Sequence, residues 1–186
     1  MENNVKKLDY YWLWKEALSK DLCDLLMKER SVLEEDAAVV ATADGGTVDK
    51  NIRDSKVCWA PANHWIEGVL YNYGLYACES AGWDFHLGRP EPVQLTAYDK
   101  EGFYGWHEDW APLVASPEVR KISVIALLSD PEDFEGGQFQ FAEEDTINMK
   151  RGSILAFPSF LRHQVTPVTY GKRYSAVCWI RGPRTI

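Results

Sequence analysis

Long hydrophobic runs are missing from this 186-residue chain. Apolar stretches such as Ser153 to Phe157 and Val124 to Leu128 fall far short of the ~20 residues that a membrane-spanning helix needs. A soluble protein with no membrane partner is expected. An excess of basic residues is missing too: 20 Lys and Arg stand against 28 Asp and Glu, a formal charge of −8, which disfavours binding to nucleic acid. Met1 to Lys7 shows no apolar stretch behind its basic residues, so no secretory signal is read and the expected location is cytoplasmic. Cysteine is sparse. Cys23, Cys58, Cys78 and Cys178 form no C-x-x-C pair and sit among apolar neighbours, a pattern of reduced, packed thiols rather than of disulfides or a zinc knuckle.

What is present is an ordinary globular composition, 46% hydrophobic and 26% charged, at a length expected to form one domain over residues 1–186. The 8 Trp, 9 Tyr and 7 Phe lean toward β-structure and a pocket lined by large side chains. Ser19 ahead of Leu22, Leu25 and Leu26 predicts a capped amphipathic helix over about 19–30. A second helix is predicted after Pro61, where Trp65, Ile66, Val69, Leu70, Tyr73, Tyr76 and Ala77 recur at helical spacing until Gly82. Between the helices, Ala37 to Ala43 reads as a strand, and the polar stretch Asp44 to Asn51 as a mobile loop. From residue 91 the period becomes two. Strands are predicted around Val93 to Tyr98, Ile122 to Leu127, Gly137 to Phe141, Gly152 to Phe157, Arg162 to Thr166 and Arg173 to Ile180. Helices first and short strands afterwards imply an α+β fold, residues 1–90 giving helical support and the mobile loop, and 91–182 closing as a sandwich or jelly roll.

Four histidines are available, and two have company. In an extended segment His107 and Asp109 point to one face while Glu108 points away, and a distant His163 on a neighbouring strand completes three ligands. Two imidazoles and a carboxylate leave positions open for Fe(II) chemistry, with a zinc hydrolase as the competing metal reading. The segment from Arg162 to Ser175 reads as strand, turn, strand, so His163 and Arg173 would lie on neighbouring strands of a hairpin, about 10 Å apart at the strand rise. Arg173 would pair near Thr166, three residues along from His163, and that separation suits a five-carbon diacid chelating the metal at one end and meeting the Arg guanidinium at the other. Trp106, Trp110 and Tyr104 flank the metal pair as core aromatics or as walls for an apolar substrate ring. Gly136-Gly137 reads as a bend in a strand, and the acidic run Glu132, Asp133, Glu135, Glu143, Glu144 and Asp145 as a solvated face.

Several ordered motifs resemble one family. They are Tyr98, Gly102 and Tyr104 ahead of His107-Glu108-Asp109, then Arg120-Lys121-Ile122-Ser123, Phe134-Glu135-Gly136-Gly137, Lys150-Arg151-Gly152, Phe157-Pro158-Ser159, the His163 to Arg173 segment, and Trp179. Over about residues 91–182 the chain resembles the 2-oxoglutarate and Fe(II)-dependent dioxygenases, specifically the prolyl hydroxylase branch and its PKHD-type relatives. Leu13 to Met27 and Arg53-Asp54-Ser55 resemble the helix and loop preceding the barrel. The resemblance implies a double-stranded β-helix with N-terminal supporting helices, iron held by His107, Asp109 and His163, and 2-oxoglutarate held by Arg173 with Tyr98. Where oxygen-sensing relatives carry a tyrosine this chain has Leu127, so the distal carboxylate leans on Arg173 alone or borrows the hydroxyl of Ser175. Tyr104, Trp106, Trp110, Arg53 and Trp179 are the implied substrate contacts. The implied reaction consumes O2, with ascorbate as a candidate reductant, and hydroxylates a prolyl residue of a protein or peptide, releasing succinate and CO2. Two alternatives stand beside it: the same cofactors acting on a free amino acid or small metabolite, and a non-catalytic jelly-roll binding module.

Overall fold

The computed structural model describes residues 10–42, 45–110, 117–142 and 146–184, so Asp44 and the Glu143 to Asp145 part of the acidic run lie outside the described residues. Helix α1 spans Lys20–Arg30, and its cap is the predicted one: Ser19 Oγ accepts from the Leu22 N–H at 3.3 Å. Cys23, Leu26 and Arg30 form its buried stripe. Helix α2 spans Trp65–Ala81, entered at His64 and closed by Gly82 in the left-handed conformation at φ 69°.

Among the described residues the strands make two main sheets that face each other and two separate two-stranded pairs. The larger has seven strands in the order Trp12–Trp14, Ile154–Pro158, Glu118–Leu127, Arg173–Pro183, Gln94–Tyr98, Lys56–Trp59 and Asp36–Ala37. The smaller runs Thr146–Ile147, Phe139–Phe141, His163–Val165, Phe103–His107 and Arg53–Asp54. The fold is mostly β with two helices.

Alternation along the central Glu118–Leu127 strand builds two cores. Val124 and Ala126 face the helices, joining Leu26, Ile66, Leu70, Ala77 and Ile180. Ile125 and Leu127 face the space between the sheets, with Phe139, Phe141, Leu155, Phe157 and Val165. Each fully buried Leu or Ile contributes roughly 1.5–3 kcal/mol of transfer free energy. Helix α2 lies unusually near the larger sheet at Gly74, where a Cβ would stand 2.2 Å from Ile180 Cδ1 and 3.0 Å from Val124 Cγ2. All four cysteines are free and buried, as expected of packed thiols.

Two expectations are corrected, and one strand is not anticipated by the sequence. Within the expected loop Asp44 to Asn51, the described residues Gly45–Thr47 form a strand paired antiparallel with Val40–Thr42, and just beyond it Arg53–Asp54 joins the smaller sheet opposite Phe103 and Tyr104. Trp12–Trp14 is a strand on Ile154–Pro158 that three residues without polar alternation could not announce. His163 and Arg173 do not share a hairpin. His163 pairs with His107 and Phe141 in the smaller sheet, whereas Arg173 pairs with Tyr98 in the larger one. The intervening Val168–Gly171 strand pairs instead with Phe134–Gly136. The polypeptide crosses between sheets there. Gly136 makes the bend predicted for Gly136-Gly137, with φ 71° and its missing Cβ position only 2.1 Å from Pro167 O. Among the described residues, no helix is long and apolar enough to cross a membrane.

Candidate active site

The smaller sheet brings His107 and His163 side by side as directly paired residues, their ring centroids 4.2 Å apart. Asp109 lies just past the end of its strand, held by its N–H donating to Ser159 O at 2.9 Å. Its Oδ1 is 3.6 Å from His107 Nε2 and its Oδ2 is 3.5 Å from His163 Nε2, so one carboxylate faces both imidazoles. One potential ligand atom from each residue falls within 4.8 Å of the others.

The other ring nitrogens settle which lone pairs are free. His107 Nδ1 lies 2.8 Å from Gly105 O, and His163 Nδ1 lies 2.7 Å from Leu161 O. A carbonyl only accepts, so each Nδ1 carries a proton, which leaves each Nε2 as the nitrogen that can offer a lone pair on the Asp109 side. Burial pushes the His163 pKa down to about 4, keeping its imidazole neutral. Burial alone would raise the Asp109 pKa, but its interactions with His163, His107 and Arg120 outweigh it and hold the carboxyl well below its usual range. Both shifts favour the forms that coordinate a cation, and two neutral imidazoles with one carboxylate fit a divalent ion with positions left open.

A β-bulge sets the walls. Between the pairs His163 with His107 and Val165 with Tyr104, the first strand advances two residues and the second three. Tyr104 therefore returns to the side of His107 and stacks on it at 3.4 Å, the planes 11° apart. Trp106 is turned outward. It is 41% exposed and Trp110 is 44% exposed, and neither lines the metal cavity or the cleft beside it, which corrects the expectation that they wall the site.

The remaining expected residues come together. Arg53, Tyr98, Tyr104, Arg173, Ser175 and Trp179 line one narrow cavity of about 30 Å³ with the two imidazoles and Asp109. Arg173 is buried, donates from Nη1 to Ser175 Oγ at 3.2 Å and sits 5.4 Å from the Tyr98 ring centroid. Among the described residues it has no carboxylate partner. On its Leu127 side lies a second cavity of about 230 Å³, lined also by Gly136, Gly137 and Met149.

These arrangements acquire a family from the sequence of the same strands. Residues 93–181 match the 2OG-Fe(II) oxygenase superfamily. The matched segment, just under half of the chain, is similar to a 2OG-Fe(II) oxygenase domain. A PKHD-type hydroxylase of Synechococcus sp. (strain JA-2-3B'a(2-13)) is 31% identical over 94 residues, 48% of this chain and 42% of that protein. The match thus spans less than half the length of this curated relative. In fold, the chain resembles a prolyl-4-hydroxylase of Pseudomonas putida, with TM-score 0.73, 22% identity and 93% of each chain covered. It also resembles the viral collagen prolyl hydroxylase of Paramecium bursaria Chlorella virus-1 in its 2OG complex, with TM-score 0.72, 21% identity, and 96% of this chain and 99% of that one covered. A domain of that superfamily works with Fe(II), 2-oxoglutarate and O2.

The sequence motifs contain Arg120, Ser123 and Ser159 but assign them no role behind this centre. Ser123 Oγ donates to Asp109 Oδ2 at 2.7 Å and lies 2.9 Å from Ser159 Oγ, both serines fully buried. Arg120 forms a bidentate pair with Glu91 at 2.9 and 2.7 Å and places its guanidinium 3.8 Å over the Trp179 ring. A serine inside the apolar run Ile122 to Leu128 was the available signal, because a buried hydroxyl needs a partner. Ser123→Ala should weaken metal binding by about 10- to 100-fold while the fold persists, since the carboxylate loses the donor that orients it. Titration of the variant with Co(II) or Mn(II) checks this; wild-type affinity would show that Ser123 does not act on the centre.

Proposed function

We propose that this chain is a single-domain Fe(II)- and 2-oxoglutarate-dependent dioxygenase that hydroxylates a prolyl residue in a protein or peptide, with succinate and CO2 as coproducts. One observation carries the reading: a three-ligand cluster shares its cavity with a buried guanidinium that has no carboxylate partner. His107, Asp109 and His163 would hold the iron through their Nε2 and carboxylate oxygens. Arg173 would take the distal carboxylate of 2-oxoglutarate, assisted by Ser175 and flanked by Tyr98. When bound, iron with the oxo acid and O2 supplies the oxidant for insertion of oxygen into an unactivated C–H bond.

The protein's own part is orientation and exclusion of water. About 30 Å³ is room for a water or two, less than the cosubstrate needs. The neighbouring cavity of about 230 Å³ gives the Arg173 side chain space to withdraw as the diacid enters. Beside the centre opens a cleft of about 640 Å³, lined by Arg53, Trp59, Tyr104, Arg120 and Trp179 and by Val39, Gly46 and Val48 of the hairpin segment. That cleft is wide enough for a peptide, and the hairpin forms its outer wall. The decisive experiment measures succinate release from 2-oxoglutarate by the Fe(II)-loaded protein, with and without proline-containing peptides, alongside mass spectrometry for addition of one oxygen atom to proline. Peptide-stimulated succinate with oxidised proline supports the reading; 2-oxoglutarate left unconsumed under every condition overturns it.

A further inference from the structure

The floor of the cleft is short of acceptors. Arg53 is 6% exposed, yet all its partners are neutral: Nε donates to Ser55 Oγ at 2.9 Å, Nη2 donates to Gln94 Oε1 at 2.8 Å, and the guanidinium lies 4.6 Å from the Tyr104 ring centroid. Its Nη1 has no hydrogen-bond partner among the described residues. The other cleft carboxylates do not supply the missing charge. Asp36 and Glu108 are exposed and outside ion-pair distance of Arg53, and Asp109 faces the two imidazoles. The contrast with Arg120 is direct, since Glu91 neutralises that neighbour in a bidentate pair.

A second donor faces the same space. Trp179 is 5% exposed and lines both the metal cavity and the cleft, and its buried Nε1–H has no partner. A guanidinium and an indole N–H can only donate, so whatever completes them must accept hydrogen bonds, and a buried cation calls for an anion. In the proposed function, 2-oxoglutarate supplies that anion to Arg173. Arg53 is left with none.

We infer that the substrate carries a carboxylate, received by Arg53 with Trp179 Nε1 as the second donor. This rests on the reading that the cleft holds the molecule to be hydroxylated. The carboxylate can be the free C-terminus of a peptide ending in proline, the side chain of an acidic residue next to the proline, or the carboxylate of a free amino acid. The wild-type Gln94 leaves that charge to the substrate. A carboxylate at position 94 would provide it internally.

The test measures equilibrium binding by tryptophan fluorescence in protein loaded with Mn(II) and 2-oxoglutarate without O2. Its probes are acetyl-Ala-Ala-Pro as free acid and as amide, acetyl-Ala-Pro-Glu-amide against acetyl-Ala-Pro-Gln-amide, and L-proline against L-prolinamide. The acid should bind at least about tenfold more tightly than its neutral twin in one pair, and that pair names the source of the carboxylate; a tenfold ratio corresponds to about 1.4 kcal/mol. Arg53→Gln should level the pair, and so should Gln94→Glu, which leaves the guanidinium in place and satisfied. Unchanged 2-oxoglutarate affinity in both variants shows that the remainder of the site is folded. Equal affinity within every pair, no measurable binding of any acid, or a preference that survives both substitutions overturns the inference. Failure of the oxygenase reading looks different: no succinate is released with any substrate, whereas failure of this inference alone leaves neutral amides hydroxylated as well as acids.

Discussion

Asp109→Ala should leave the protein unable to hold a divalent ion at this centre, and succinate release should fall to background. Asp109 supplies one oxygen toward each imidazole, at 3.6 and 3.5 Å, and is the only carboxylate of the cluster. Its removal deletes the sole anionic ligand of the proposed set and strands the Ser123 hydroxyl that donated to it at 2.7 Å. Loss of an orienting partner behind a ligand costs about 10- to 100-fold in metal affinity, so loss of the ligand itself should exceed ~100-fold. Asp109→Asn keeps the shape and one acceptor oxygen but removes the charge, and should also bind metal poorly. Co(II) titration followed by visible absorption reads this directly, with circular dichroism of the metal-free variants as the control for folding. A His107→Ala, His163→Ala double variant that retained full turnover would place the metal elsewhere.

Arg173→Ala should raise the 2-oxoglutarate requirement by ~2 to 5 kcal/mol, because the lost contact pairs two desolvated charges. Arg173→Lys should recover only part of it, since an ammonium cannot reproduce the planar fork. Stability gives an independent reading. Arg173 is 2% exposed and, among the described residues, its hydrogen-bond partner is the neutral Ser175 hydroxyl and no carboxylate, so the ligand-free protein carries the desolvation cost of this cation without an anion to offset it. Burial accordingly lowers the pKa of its guanidinium, against the opposing influence of Tyr98. Ligand-free Arg173→Ala should therefore melt no lower than the wild type, even as cosubstrate affinity collapses. Calorimetric titration with 2-oxoglutarate and thermal melts of the same samples check both halves. Unchanged affinity in both variants would remove Arg173 from the cosubstrate site, and a large drop in melting temperature would mark it as a structural residue.

What the sequence determined by itself was local. Helix α1 is legible from Ser19 and the apolar stripe behind it, and α2 from its periodicity and the stop at Gly82, because capping and amphipathic spacing act within a few residues. The strands around Gln94–Tyr98 and Glu118–Leu127 are legible for the same reason, as is the proximity of His107 to Asp109. Tertiary structure decided everything that depends on pairing. His163 and Arg173 look like the two arms of a hairpin in sequence, yet their partners are His107 and Tyr98 in opposite sheets, and they meet only because the sheets face each other across one cavity. The bulge that puts Tyr104 on His107 and turns Trp106 to solvent exists only in the register with the His163–Val165 strand. Ser123 finds Asp109 and Arg53 finds Gln94 across 14 and 41 residues of chain. Period-two patterning specifies which face of a strand is apolar, but register is set by the partner strand, and a slip of one residue turns every side chain to the other face.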